Sequence, residues 1–331
     1  MTTHQHPRVL VTGATGYIGS RLVPVLLAAG HTVRVLTRSA DRLRERDWAG
    51  DVEVVEGDAT SRQDLDQALA DVDVAYYLVH SMDGGDSFED RDRELARTFG
   101  LAAQSADVQR IIYLSGLHPN ETKLSAHLAS RVEVGNLLMA SGVPTIVLQA
   151  AIIIGSGSAS FEMLRHLTHN LPIMITPKWV NNRIQPISIH DVLHYLLGAA
   201  TVEGEVNRTF DIGGPEVLTY RDMIKRFAKV AGLRSRAIRT VPVLTPGLAS
   251  HWVGFVTPVP SGIAKPLVGS LIHEVVCQED DVDDVIGAPE GGAMAYEDAV
   301  RAALAQDSGT RPEPGTVDPA RLTAADPDWA G

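Results

Sequence analysis

His127 and Arg131 stand four residues apart in the stretch SAHLASRVEVG (125–135). On a helix that spacing puts both on one face, one turn apart. An imidazole with an ordinary pKa near 6.5 can take or give a proton at neutral pH. A guanidinium stays charged, so it can hold hydroxyls and anions but does not relay protons. Val134 and Leu138 continue that face and place the pair at the edge of an apolar surface. A second pattern, Gly13-x-x-Gly16-x-x-Gly19, lies in VLVTGATGYIGSRLV between a strand-like and a helix-like run. Glycines there let the backbone turn sharply and approach a pyrophosphate, while the helix start offers free N–H groups to the anion. Thr37, Arg38 and Ser39 then close the second strand-like run, where an NAD site ordinarily carries an acid for the ribose 2′-hydroxyl. Arg38 cannot accept from a hydroxyl but suits a 2′-phosphate, so NADP(H) is expected in preference to NAD(H). The alternative is an Arg38 that simply points into solvent.

These residues need a frame. The first 150 residues alternate apolar β-type runs (8–14, 32–38, 52–58, 72–79, 110–116, 144–151) with helix-type segments (17–29, 41–47, 61–70, 88–106, 123–141). Strands that are apolar throughout are expected where helices cover both faces of a parallel sheet. The alternation therefore predicts an α/β, Rossmann-type doubly wound parallel sheet, with a smaller C-terminal substrate-binding region. The expected division is a nucleotide domain over 1–151, a substrate-side region over 152–306 interleaved with the core, and a flexible proline-rich tail over 307–331. Within the second region the pattern predicts helices at 159–169, 190–200 and 219–231 and a strand at 208–214. Asp191 is expected near the positive end of its helix. The acidic run EDDVDD (279–284) reads as a solvated face.

Composition sets outer bounds. The net charge of −12 over 331 residues argues against nucleic acid as a partner, which demands basic surface. A single cysteine, Cys277, leaves no internal disulfide and fits a reducing cytoplasm. No His, Asp or Glu cluster has metal spacing, and the N-terminus lacks an apolar signal core. Residues 241–264 carry no charged side chain, but Pro242, Pro246, Pro258 and Pro260 break any membrane-spanning helix, so the stretch reads as an apolar loop or lid.

On these motifs the chain resembles the short-chain dehydrogenase/reductase superfamily in its extended and atypical NAD(P)H-binding branches, the NmrA-like and triphenylmethane-reductase-like members. TGATGYIG (12–19) matches the family loop, and the resemblance assigns Gly13, Thr15, Gly16, Tyr17, Ile18 and Gly19 to the cofactor. It likewise implies that Asp58 and Ala59 of VEGDATS flank the adenine and that Leu78, Val79 and His80 of YYLVHS border the pyrophosphate. LSGL (114–117) sits where the family has its active-site serine, here Ser115. The chain departs from the family at Tyr-x-x-x-Lys, which reads His127-Leu-Ala-Ser-Arg131.

Two functional readings follow. In the first, His127 is the acid/base and Arg131 the clamp of an NADP(H)-dependent oxidoreductase acting on a hydrophobic carbonyl, quinone or enone-like molecule. Residues 156–167, Trp179, Arg183 and Trp252 would then supply the substrate side. In the second, the replaced pair marks a non-catalytic NADP(H)-binding redox sensor of the NmrA-like type. A sugar-nucleotide epimerase or dehydratase ranks third, weakened by the missing tyrosine and lysine.

Overall fold

The computed structural model describes residues 6–80, 88–119, 124–241, 258–270, 272–305, 322–323 and 325–330. Seven parallel strands form its centre: β1 (Arg8–Thr12), β2 (Thr32–Thr37), β3 (Glu53–Glu56), β4 (Val74–Tyr77), β5 (Arg110–Gly116), β6 (Thr145–Ala150) and β7 (Arg208–Ile212). Their spatial order is β7-β6-β5-β4-β1-β2-β3. The order reverses direction at β1, so the C-terminal ends of β1 and β4 open onto the crevice where doubly wound sheets take their ligands.

Alternate residues of each strand feed two separate cores. Val9, Val11, Val33, Val35, Tyr76, Ile112, Leu148 and Phe210 face α1 (Tyr17–Ala28) and α6 (Ile189–Ala199). Leu10, Leu36, Ala75, Tyr77, Ile111, Tyr113 and Val147 face α2 (Arg62–Leu69), α3 (Phe88–Ser105) and α4 (Ala126–Met139). Both faces being covered is why these strands are apolar at successive positions. The parallel doubly wound sheet expected from the alternation is therefore present.

The C-terminal part returns to this sheet. β7 pairs with β6, and α6 packs on α1 and β6. Ser188 caps α6 by accepting from the Asp191 N–H at 3.0 Å, and Asp191 is buried. A smaller cluster joins α5 (Ala159–Asn170), α7 (Tyr220–Val230) and a helix at Tyr296–Ala305. The sequence pattern misses two parallel strands, Ile173–Thr176 and Ala237–Thr240, which pair with each other and not with the central sheet.

Four expectations need correction. Residues 41–47 do not form an α-helix: short 3-10 turns at Ala40–Leu43 and Ala49–Asp51 replace it, pinned by buried Leu43 and Trp48. The stretch 241–264 is not wholly loop, since Ser261–Ser270 forms a helix, here α8; residues 242–257, including Trp252, lie outside the described residues. The acidic run is more than a solvated face: Asp281 and Glu279 each hold Arg208 at 2.7 Å, and Asp283 accepts from the Tyr195 hydroxyl at 2.8 Å.

The fourth correction concerns the tail, whose described residues lie on the body. Asp326 sits 3.3 Å from Arg21 and 3.4 Å from Arg46, with all three side chains buried. Burial alone raises a carboxyl pKa, but Arg21, the Thr323 N–H and Arg46 hold that of Asp326 below its ordinary value. Trp329 packs with Met163, Val259 and Leu267. A polar, proline-rich composition hides an ion pair that only the folded chain assembles. Among the described residues no helix is long and apolar enough to cross a membrane.

Candidate active site

Two cavities meet at the ends of β1, β4 and β5, sharing Leu78, Val79 and His80 as their common wall. The first, about 460 Å³, is lined by Gly13, Thr15, Gly16, Arg38, Asp58 and Ala59, together with Arg42 and Arg91. Gly13 adopts φ +73°, and a Cβ there would lie 2.5 Å from the Leu78 carbonyl oxygen. Only glycine permits that turn and that approach to β4. A Cβ on Gly19 would collide with the Gly13 carbonyl, so this glycine lets α1 pack close to the loop. Gly16 is exposed at the start of α1, which has no side-chain cap. Its first N–H groups and dipole therefore face the cavity.

Arg38 is exposed at the rim with Arg42 and Arg91. The last two escape a sequence reading because neither lies in a recognisable motif. Asp58 Oδ1 accepts from the Thr60 N–H and hydroxyl, both at 2.8 Å. Those bonds, with Arg38 nearby, depress its pKa and commit the carboxylate to its own turn. Ser39, also expected here, does not line the cavity; it precedes the turn after β2 without a side-chain cap bond, and the Thr37 hydroxyl donates to its carbonyl at 3.1 Å.

The second cavity, about 270 Å³, is mostly apolar and is lined by Tyr17, Ile18, Ile152, Ile184, Tyr220 and Leu267. Ser158, Ala159 and Ser160 belong to it as expected, but Trp179 and Arg183 do not. Trp179 stacks edgewise on Tyr220 at 6.0 Å, and Arg183 pairs on the surface with Glu274 at 2.9 Å. The polar end of the cavity holds Ser115, His127, Arg131 and His80, so the expected site residues do come together.

Ser125 starts α4 by accepting from the Leu128 N–H at 3.3 Å, which sets His127 and Arg131 in the first two turns. Arg131 Nε donates to His127 Nε2 at 3.2 Å, and its Nη1 donates to the Leu114 carbonyl at 3.4 Å. His127 Nδ1 lies 3.3 Å from His80 Nε2. His80 Nδ1 lies 3.2 Å from Asp92 Oδ2, which also accepts from Ser130 at 3.2 Å. The hydroxyl of Ser115 donates to the Arg131 carbonyl at 3.4 Å.

Electrostatics corrects the expectation for the histidine. Burial first, then Arg131 and His80, push the His127 pKa down to about 3. Burial and Arg131 also lower His80, with Asp92 opposing. His127 is therefore neutral at working pH and its Nε2 is occupied, so it does not stand ready as the proton donor expected at 6.5. His80 and Asp92 complete this arrangement. The YYLVHS motif points to His80, whereas nothing in a helical stretch marks Asp92.

Residues 13–151 match the NAD(P)H-binding family. Two relatives align over most of the chain. The (4-alkanoyl-5-oxo-2,5-dihydrofuran-3-yl)methyl phosphate reductase of Streptomyces griseus is 28% identical, covering 68% of this chain and 74% of the relative. The ceramide reductase of Caulobacter vibrioides is 26% identical, covering 82% and 86%. Among solved structures, the triphenylmethane reductase of a Citrobacter species complexed with NADP(H) superposes with a TM-score of 0.68 at 19% identity. That match covers 90% of this chain and 100% of the Citrobacter chain. The NADPH complex of the quinone oxidoreductase QOR2 of Escherichia coli superposes with a TM-score of 0.68, also at 19% identity, covering 88% and 98%. The chain thus shares its fold with these two NADP(H)- and NADPH-complexed enzymes.

Proposed function

We propose that the protein is an NADPH-dependent reductase of a hydrophobic conjugated carbonyl compound, a quinone or an enone. The observation that carries this is an apolar cavity whose polar end presents a fixed guanidinium beside a serine hydroxyl and two neutral imidazoles. Pockets for small organic ligands have this make-up, apolar walls with few polar anchors.

The first cavity fits a dinucleotide. The Gly13 turn and the uncapped start of α1, with Thr15 and Gly19, would hold the pyrophosphate, while Tyr17 and Ile18, which line the second cavity, would border the nicotinamide end. Asp58 and Ala59 would flank the adenine, and Leu78, Val79 and His80 would border the bridge between the cavities. Arg38, with Ser39, Arg42 and Arg91 beside it, would favour a 2′-phosphate, and hence NADP(H) over NAD(H).

When bound, the nicotinamide supplies a hydride. Hydride addition to a quinone or enone leaves negative charge on the carbonyl oxygen. Arg131 would stabilise that enolate or phenolate, with Ser115 as a hydrogen-bond donor. His127 would position Arg131, and solvent would supply the proton. Such acceptors suit a site whose histidines stay neutral, because their oxyanion is delocalised and needs no proton at the moment of transfer. The relatives' named substrates, an alkanoyl-bearing dihydrofuranyl phosphate and a ceramide, support a carbonyl-bearing apolar class.

The test is NADPH oxidation across a panel of quinones and enones. Turnover that collapses in Arg131→Ala supports the reading. Tight NADPH binding with no turnover on any acceptor overturns it in favour of a redox sensor.

A further inference from the structure

The row Asp92, His80, His127, Arg131 joins α3, the end of β4 and α4 through contacts of 3.2, 3.3 and 3.2 Å. Donors along it can be assigned by elimination. A guanidinium Nε always carries hydrogen and never accepts, so His127 Nε2 presents a bare lone pair. A neutral imidazole has a single N–H, which in His127 must then be on Nδ1, aimed at His80 Nε2. That nitrogen accepts, so the proton of His80 is on Nδ1, where Asp92 Oδ2 receives it. Reversing either imidazole would set two N–H groups face to face. One arrangement satisfies every member, and every hydrogen in it points towards Asp92.

We propose that Asp92 is a positioning residue of the site. Its carboxylate fixes both imidazoles in the Nδ1–H form and thereby holds the Nε of Arg131 on His127, presenting the guanidinium to the apolar cavity. The proposal rests on the reading of Arg131 as the anion-holding group, but the hydrogen-bond row is observable without turnover.

The physical need is clear. An arginine side chain carries large rotamer entropy, and a guanidinium free to swing would re-form its contacts at each turnover. A guanidinium already held in place needs little reorganisation as charge develops. The row supplies this from the interior: Asp92 and His127 are buried, and the His80 side chain is 13% exposed. Ser130, the residue before Arg131 on α4, also donates to Asp92, tying the carboxylate to the same helix. Among the described residues, the charged and titratable groups around the row are Asp92 from α3, Tyr77 on β4 and His80 just beyond its end, Tyr113 from β5, and His127 and Arg131 from α4.

The experiment uses the full-length, 15N-labelled protein at neutral pH and reads long-range proton–nitrogen correlations of the imidazoles. The expected result is a protonated Nδ1 and a bare Nε2 in both His80 and His127. In Asp92→Asn the carboxamide can offer its own N–H to His80, so the pure Nδ1–H pattern of both rings should be lost. If this variant fails to fold, His80→Gln should free the His127 tautomer in the same way. An Nε2–H tautomer at His127 in the unaltered protein overturns the proposal. So does Asp92→Asn leaving both rings as they were.

With NADPH and a 1,4-benzoquinone, Asp92→Asn should lower kcat by up to about 100-fold while moving the KM for NADPH little, and Asp92→Glu should recover part of the loss. If the unaltered protein turns over no acceptor, the reductase reading fails. The imidazole spectra then decide the Asp92 proposal alone.

Discussion

The two adjoining cavities are built in opposite ways. Apart from the shared Leu78–His80 wall and the side of α3 that carries Arg91, the nucleotide-side cavity draws on local stretches: Gly13 to Gly16, Arg38 to Arg42, Gly57 to Thr60. Each is a loop immediately after a strand, and its shape follows from its own residue types. The apolar cavity is assembled from β5, α4, α5, Tyr220 and α8, and its polar end is set by a row of side chains that begins on α3. Local construction makes the first cavity resistant to changes elsewhere in the chain, while the second depends on contacts between distant residues. Substitutions can break or sharpen this contrast.

The largest expected effect falls on the local side. Gly16 is exposed, and a Cβ there would lie 3.2 Å from the Gly13 carbonyl oxygen, so Gly16→Val should fold with a loss within about 1 kcal/mol. Its side chain would nevertheless stand where the pyrophosphate approaches, and calorimetric titration should show no NADPH binding. Retained binding would mean that the loop is only a turn.

Next comes a distant contact. Asp326→Asn leaves Arg21 and Arg46 buried without their carboxylate and should cost about 3 kcal/mol in denaturant unfolding. NADPH affinity should stay within about twofold, since none of the three residues lines the nucleotide cavity. The folded pKa of Asp326 lies below its ordinary value, so its stabilisation is present above the usual carboxylate range and is lost as pH falls through the depressed value. Acid titrations of the unaltered and Asp326→Asn proteins should converge there.

A smaller change is expected from Arg38→Ala. One charge-assisted contact is worth about 1.5–3 kcal/mol, so the preference for NADPH over NADH should fall at least about tenfold. Equal affinities for the two nucleotides in the unaltered protein would remove Arg38 from the specificity argument.

The smallest effect is an absence. With His127 held at about 3, the rate of NADPH oxidation should show no inflection near 6.5. Stability carries the signature instead. The folded pKa lies below the unfolded one, so stability should decline as pH drops from about 6.5 towards 3, and His127→Gln should flatten part of that decline. A kinetic inflection near 6.5 that vanishes in His127→Gln would restore the histidine as an acid or base.

The same contrast governs what the sequence discloses. β1 to β6 and most of the helices between them are legible because apolar periodicity and the TGATGYIG turn are local properties. Residues 41–47 mislead because DRLRERD has helical composition without an apolar stripe, and Leu43 and Trp48 anchor turns instead. The spacing of His127 and Arg131 reveals their shared face but not their protonation, which depends on burial and on His80, 47 residues away. Asp92 and Asp326 carry no local mark, for their meaning lies in partners that only tertiary structure brings near.

The Asp326 tie also has a consequence for how the chain is made. Its carboxylate reaches Arg21 across 305 residues. Synthesis at about 5–20 residues per second leaves α1 emerged for roughly 15–60 s before that carboxylate exists. During this interval Arg21 and Arg46 are cations bound for an interior that cannot yet neutralise them. The ion pair that buries Arg21 and Arg46, unlike the strand–helix unit around it, is therefore completed only after synthesis has passed Asp326.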